Sequence, residues 1–546
     1  MGMENVTRRL AGVAVLLGMS ACAAAEAQVG AGPRAADTTT AATTAAIPPA
    51  KRAARVDNSA LIPKVLPDSE VKMEGMSPDW AKTLIMVQFR IETVSPEGTF
   101  AAATKVLDHY AEMGVNGLWI NPIWERGSKG NGYGNRGPRT IEPLLTGADN
   151  IEDSYKAVRQ FVAEAHKRNI RVIFDIIVWG TLKTAPLVTE HPEFYKKTKD
   201  GQFVPAWGGW AFDWKNLELR TWFKRAAVEF IRKTGADGFR VDLAPDCSGY
   251  FFKEVRDALY AEGRKIIIMS EAPNERKDTF DFEQSGAHGW TEEPKWGKKE
   301  ELKEQMARFG PHSDYLFRNN ILDVIRTGVG IGKPTLQQQG KGGMFRFYTS
   351  NVLCHDDFNP FVKGNRVRFA YGFIFAPYIP MWWIGEEWDN PRVPMREPGN
   401  TGVMYFNTID WSWRDNQGRA FFEDAKRYIR IRRSYPEIFE HFPDNARDAN
   451  IVKLDTTRNG APNSLQAYAR YGGGKAVLIV PNYNSGGEAR FEVTPDYKVI
   501  GLGDSKNYRI TDLMTGLRVV EKAEPGKSFA VSVADEHPGV YLVESN

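Results

Sequence analysis

From residue 82 onward, short apolar runs alternate with amphipathic stretches, and that alternation predicts the fold. Residues 83–89 form a predicted strand, residues 99–113 a helix, and residues 115–122 a second strand stopped by Pro122. Asn150 caps a helix with Asp153 three residues on, and Val158, Phe161, Val162 and Ala165 recur at helical spacing. Residues 171–178 are apolar without period-two alternation, the pattern of a strand buried on both faces. A helix over 217–233, a strand over 238–242, a helix over 250–261 and a strand over 265–270 follow, with strands six to eight over 279–282, 344–352 and 375–384. Repeated strand–helix units favour a parallel sheet, and eight of them favour an α/β fold of the closed (β/α)8 TIM-barrel type. After a helix over 420–434 the pattern changes to alternating segments such as 476–480 and 539–543, separated by Gly, Asn and Asp turns, which predicts a C-terminal antiparallel β domain.

The domain reading is therefore a barrel over 76–438, interrupted after its third strand by a short inserted domain over 179–215, and a C-terminal β-sandwich over 439–546. Residues 1–27 read as a signal segment: Arg8 and Arg9 precede an apolar run at 10–17 that is too short to span a bilayer. Residues 28–75 are rich in Ala, Thr and Pro and read as a disordered tether that buries no core. Met19-Ser-Ala-Cys22 is similar to a bacterial lipoprotein signal, which implies a lipid on Cys22 and a place at the outer membrane or in the periplasm; cleavage after Ala27 would instead give a secreted protein. With 71 basic against 68 acidic residues and no basic cluster, nucleic acid is not an expected partner, and a membrane is one only through that lipid. Cys247 and Cys354 lack metal-like spacing and read as two buried thiols rather than a disulfide.

In such a barrel the site forms at the carboxyl ends of the strands, so polar residues there are the candidates. Asp175 lies within the third strand, Asp242 ends the fourth, Glu271 follows the fifth, and His355 and Asp356 follow the seventh. Arg240 stands two positions before Asp242 and shares its face. Taken together these motifs resemble the α-amylase family of glycoside hydrolases (family 13). Gly238-Phe-Arg-Val-Asp242, Ser270-Glu-Ala272, Cys354-His-Asp356 and Phe174-Asp175 are similar to its strand-end motifs, Gly132-Tyr133 to its Gly-Tyr near the second strand, and 380–387 to its eighth-strand stretch.

The resemblance implies a retaining α-glycoside hydrolase that takes an α-glucan or maltooligosaccharide, with Asp242 as nucleophile and Glu271 as general acid and then base. It implies that Arg240 keeps Asp242 ionised and aimed, that Asp356 and His355 contact sugar, that Tyr133 stacks on the sugar nearest the cleaved bond, and that Asp175 orients Arg240. It brings no cofactor other than calcium, and the usual calcium ligands are not matched: Trp179 and Gly180 stand where the third-strand motif has Asn-His, and Pro245-Asp246 where many members have Lys-His. No metal site is therefore expected. His191-Pro-Glu193 and Asp200-Gly201 in the insert are similar to segments of cyclomaltodextrinase-like enzymes. Trp179, Trp207, Trp210 and Trp214 crowd the insert either as packing or as sugar platforms, while the pairs Trp382-Trp383 and Trp411/Trp413 read as core or interface. Two other functions stay open: an α-glucan transglycosylase with the same chemistry, and a non-catalytic carbohydrate-binding surface protein.

Overall fold

The computed structural model describes residues 65–70, 77–126, 132–242, 247, 250–271, 280–284, 347–351, 365–376, 379–391, 393–394, 407–440, 450–462, 467–482 and 486–546. The signal reading, the tether reading apart from residues 65–70, and the readings of Cys354, His355 and Asp356 lie outside these residues; at 65–70 the tether reading is corrected, since Val65 is buried and Asp68 pairs with Arg220.

Eight parallel strands close into a barrel in which each pairs with its chain neighbours and the last returns to the first. They are β1 (Met86–Phe89), β2 (Gly117–Ile120), β3 (Arg171–Ile177), β4 (Gly238–Asp242), β5 (Ile267–Ser270), β6 (Phe282–Gln284), β7 (Phe347–Asn351) and β8 (Ile379–Trp383). Side chains two apart share a face. On the inner face this produces a plug of Met86, Trp119, Ile173, Ile267, Met269, Ile379 and Met381, closed from below by Leu84. The same inward register, carried two residues further, turns polar on β1, β2, β3 and β5, at Gln88, Asn121, Asp175 and Glu271. Gly238 permits the β4–β5 approach, because a Cβ there would stand 2.1 Å from the Ile267 carbonyl oxygen.

Helices cover the outside. α1 (Phe100–Thr104) and α2 (Leu107–Met113) occupy the span predicted as one helix. Thr99 caps it, accepting from the Ala102 N–H, but the Thr104 hydroxyl donates back to the Phe100 carbonyl. The next two amides then bond three residues back rather than four, which breaks the helix. α3 (Ile151–Lys167) starts at Asn150, whose side chain accepts from the Asp153 N–H, and buries Val158, Phe161, Val162 and Ala165. α4 (Leu217–Thr234) and α5 (Phe251–Tyr260) flank β4, and α6 (Arg419–Ser434) follows β8.

Two strands differ from their predicted spans. β6 begins at Phe282 rather than 279, because the Asp281 carboxylate accepts from the Ile268 N–H and the Ser77 hydroxyl at the point of entry. β8 begins at Ile379 rather than 375. The carbonyls of Ile374 and Ala376 accept from Arg432 and that of Phe375 from Arg470, so this stretch caps a π-helical turn (Arg368–Ile374) instead of joining the ladder.

Between β3 and α4 a three-stranded antiparallel sheet forms from Gly180–Leu182, Gly209–Ala211 and Pro205–Ala206. Beyond α6, a six-stranded and a four-stranded antiparallel sheet enclose a core that includes Leu478, Phe491, Ile510, Val531 and Val543. Arg470 of this C-terminal domain is fully buried, and besides Phe375 it donates to the Ile438 carbonyl, while the Tyr468 hydroxyl donates to the Tyr371 carbonyl. No helix among the described residues is long and apolar enough to cross a membrane.

Candidate active site

β4 delivers Arg240 and Asp242 to the same inner face, and its neighbours fix what meets them. Asp175 on β3 is the register partner of Arg240, and Ile177 that of Asp242. On the other side Val241 pairs with Ser270, and the Glu271 N–H donates to the Val241 carbonyl, so Glu271 stands level with Asp242 one strand away. The consequence is a cluster built around one guanidinium. Arg240 Nη1 lies 2.8 Å from Asp242 Oδ1 and 3.0 Å from Asp175 Oδ1, and Nη2 lies 2.8 Å from Glu271 Oε1. A planar fork with donors on two nitrogens can serve carboxylates in two directions at once, which an ammonium cannot.

The shell behind the guanidinium is polar and hydrogen-bonded. Asp175 is buried and its second oxygen accepts from the Tyr133 hydroxyl at 2.6 Å and the Trp119 indole at 3.2 Å. The Trp119 ring lies under the guanidinium, 4.9 Å from its centre, with the Tyr133 ring at 5.8 Å. Asn121 donates to the Tyr133 hydroxyl and accepts from Gln88. Neither Trp119 nor Asn121 is picked out by the strand-end reasoning. The signal available is their position two apart on β2, facing inward, but a tryptophan in an apolar strand reads as core.

Burial governs the charges. It pushes the Asp175 carboxyl up to about 6 although Arg240 pulls the other way. Asp242 is raised well above the ordinary aspartate range, first by burial and then by the facing charge of Glu271, with Arg240 opposing both. Arg240 therefore works against burial and a facing charge at once: one cation stands among three carboxyls in a space nearly closed to water. Asp242 is 9% exposed and Glu271 18%, so the acid on β5 is the more open of the pair.

Arg240, Asp242, Glu271, Asp175 and Tyr133 thus come together, whereas His355 and Asp356 lie outside the described residues. Residues 60–203 match the model of the α-amylase catalytic domain. The chain is 22% identical over 432 residues to α-amylase MalA of Haloarcula japonica, an alignment covering 75% of this chain and 56% of that protein. It is 24% identical over 423 residues to the cyclomaltodextrinase of Thermoanaerobacter pseudethanolicus, covering 70% and 63%. Over residues 60–203 the chain is thus similar to the α-amylase family. It spans little more than half the length of these two relatives. Among solved structures, the noncanonic maltogenic α-amylase AmyB of Thermotoga neapolitana superposes with a TM-score of 0.61 at 16% identity, covering 84% of this chain and 98% of that one. The α-amylase of Geobacillus thermoleovorans in complex with acarbose gives 0.59 at 16% identity, with 85% and 99% covered. At those identities the superpositions show the shared barrel and C-terminal sheets.

Within the family frame, the third-strand departure has a steric origin. A Cβ on Gly180 would stand 1.9 Å from the Trp210 carbonyl oxygen, because strand Gly209–Ala211 of the insert crosses there backbone to backbone. No side chain can occupy position 180. Position 179 carries a buried indole, so neither position offers calcium a side-chain oxygen.

Proposed function

We propose that the chain is a retaining α-glycoside hydrolase acting on α-linked glucose oligosaccharides or polysaccharides, with the range of an amylase, neopullulanase or cyclomaltodextrinase. Asp242 attacks the anomeric carbon while Glu271 gives its proton to the departing glycosidic oxygen. Water, losing a proton to Glu271, then attacks the same carbon and frees Asp242. The observation that carries this reading is the grip of one guanidinium on both carboxyls from adjacent strands. Strands stand about 4.8 Å apart, and retaining chemistry asks for carboxyls about 5–5.5 Å apart. The match of residues 60–203 to the α-amylase catalytic domain and the names of the relatives support the same class.

Arg240 stabilises the attacking anion against the burial that disfavours it, and Asp175 with Trp119 holds Arg240 in place. Tyr133, tethered by its hydroxyl to Asp175, offers its ring to the sugar nearest the cleaved bond. Asp356 and His355 carry sugar contacts on the strength of their motif. No cofactor enters the reaction. The leader-like segment and Cys22 support an extracytoplasmic place, through a lipid anchor or by secretion.

The test is turnover of maltooligosaccharides, pullulan, cyclodextrins and trehalose by the full chain, Asp242→Asn and Glu271→Gln. Each substitution is expected to lower kcat by about 10³-fold or more, with the α-anomer as first product in the parent by proton NMR. Turnover that survives both changes removes the assignment. Accumulation of longer oligosaccharides would identify a transglycosylase.

A further inference from the structure

The insert exposes one tryptophan in a backbone conformation that does not suit it. Pro205 pairs with Trp210 and Ala206 with Gly209, so Trp207 and Gly208 are the whole connection of a two-residue hairpin. Both have positive φ, 46° and 82°, the requirement of a type I′ turn. Asn-Gly fills that turn at no strain, whereas a bulky residue at positive φ costs free energy. Trp207 is also 36% exposed. Its insert neighbours are used differently. Trp179 and Trp214 are buried, the Trp214 indole donating to the Val178 carbonyl, and Trp210 has the Lys183 ammonium 4.7 Å from its ring centre. Among the described residues no aromatic or cationic side chain packs on the Trp207 ring. Local strain and an exposed indole are two separate costs at one residue, and among the described residues no ring or cation contact offsets them.

The hairpin stands beside the active site. Its strand Gly209–Ala211 pairs with Gly180–Leu182, putting the turn just past Leu182. Leu182 lies against Gly134, next to Tyr133, and its N–H donates to the Asn135 carbonyl. Ile177 is level with Asp242, and the five residues from there to Leu182 reach at most about 17 Å. A short oligosaccharide covers that span.

We infer that Trp207 is a stacking platform for a pyranose ring of an α-glucan whose cleaved linkage lies at Asp242 and Glu271, so that it selects for chain length. The inference rests on the hydrolase reading above. An indole offers a broad, rigid apolar face to the C–H face of a sugar ring.

Trp207→Asn separates function from fold, because asparagine relieves the turn while removing the platform. Expected for the full chain is a roughly tenfold rise in KM for maltoheptaose, kcat and maltotriose turnover within about twofold of the parent, and a Tm equal to or above the parent's. Trp207→Phe should recover part of the maltoheptaose affinity. Equal losses on both substrates, or none on either, overturn the inference. If the parent cleaves neither substrate the hydrolase reading fails separately, and calorimetric titration with maltoheptaose still decides: equal affinity of parent and Trp207→Asn overturns the platform.

Discussion

Arg240 is asked to do at one residue what usually takes two: it neutralises part of a three-carboxylate cluster and orients its members. Arg240→Lys keeps the charge but replaces the fork with a point donor that cannot reach β3, β4 and β5 together. We expect kcat to fall by about 10²-fold or more with folding intact by circular dichroism, since a misplacement of order 1 Å suffices for that loss; activity within threefold of the parent would refute the orienting role. Asp175 allows a complementary test on stability. Its folded carboxyl titrates near 6 against an ordinary 3.8, so the folded state favours the protonated form. The stability it contributes is complete below pH 4 and is lost as the pH rises through 6, an effect of up to roughly 3 kcal/mol. Asp175→Asn, which does not titrate, should therefore be more resistant to urea than the parent at pH 8 and lose that advantage at pH 4, while its turnover drops because Arg240 loses an anchor. An advantage independent of pH would contradict the burial argument.

At the scale of elements, what the sequence discloses depends on whether the deciding partner is local. β4 is read to the residue because Gly238 and the acid at Asp242 bound a short apolar run within the chain itself. α3 is read from its Asn150 cap for the same reason. β8 is misplaced because Arg432 and Arg470, more than fifty residues away, claim the carbonyls before it. The site divides along the same line. Asp242, Glu271 and Arg240 follow from strand ends and a two-residue repeat, whereas the outcome for Asp242 depends on desolvation by a whole barrel, which no local pattern encodes. The insert supplies a prediction of its own. In Gly180→Ala the added methyl meets a backbone carbonyl that cannot rotate away, so the hairpin must lift off the strand Gly180–Leu182. We expect a loss of about 3 kcal/mol in urea unfolding and early proteolysis within residues 180–211; unchanged stability would mean the crossing is looser than described.

Across the whole molecule, the C-terminal sheets reach the barrel through buried donors rather than through apolar contact alone: Arg470 and Tyr468 each satisfy carbonyls next to β8. The active cluster sits at the opposite side of the closed sheet order, on β3 to β5.

The crossing at Gly180 constrains how this protein can change. An engineer wishing to graft the family's missing histidine into position 180 cannot do so by point replacement, because the hairpin occupies the volume first. The loop would have to be rebuilt before the side chain could be admitted.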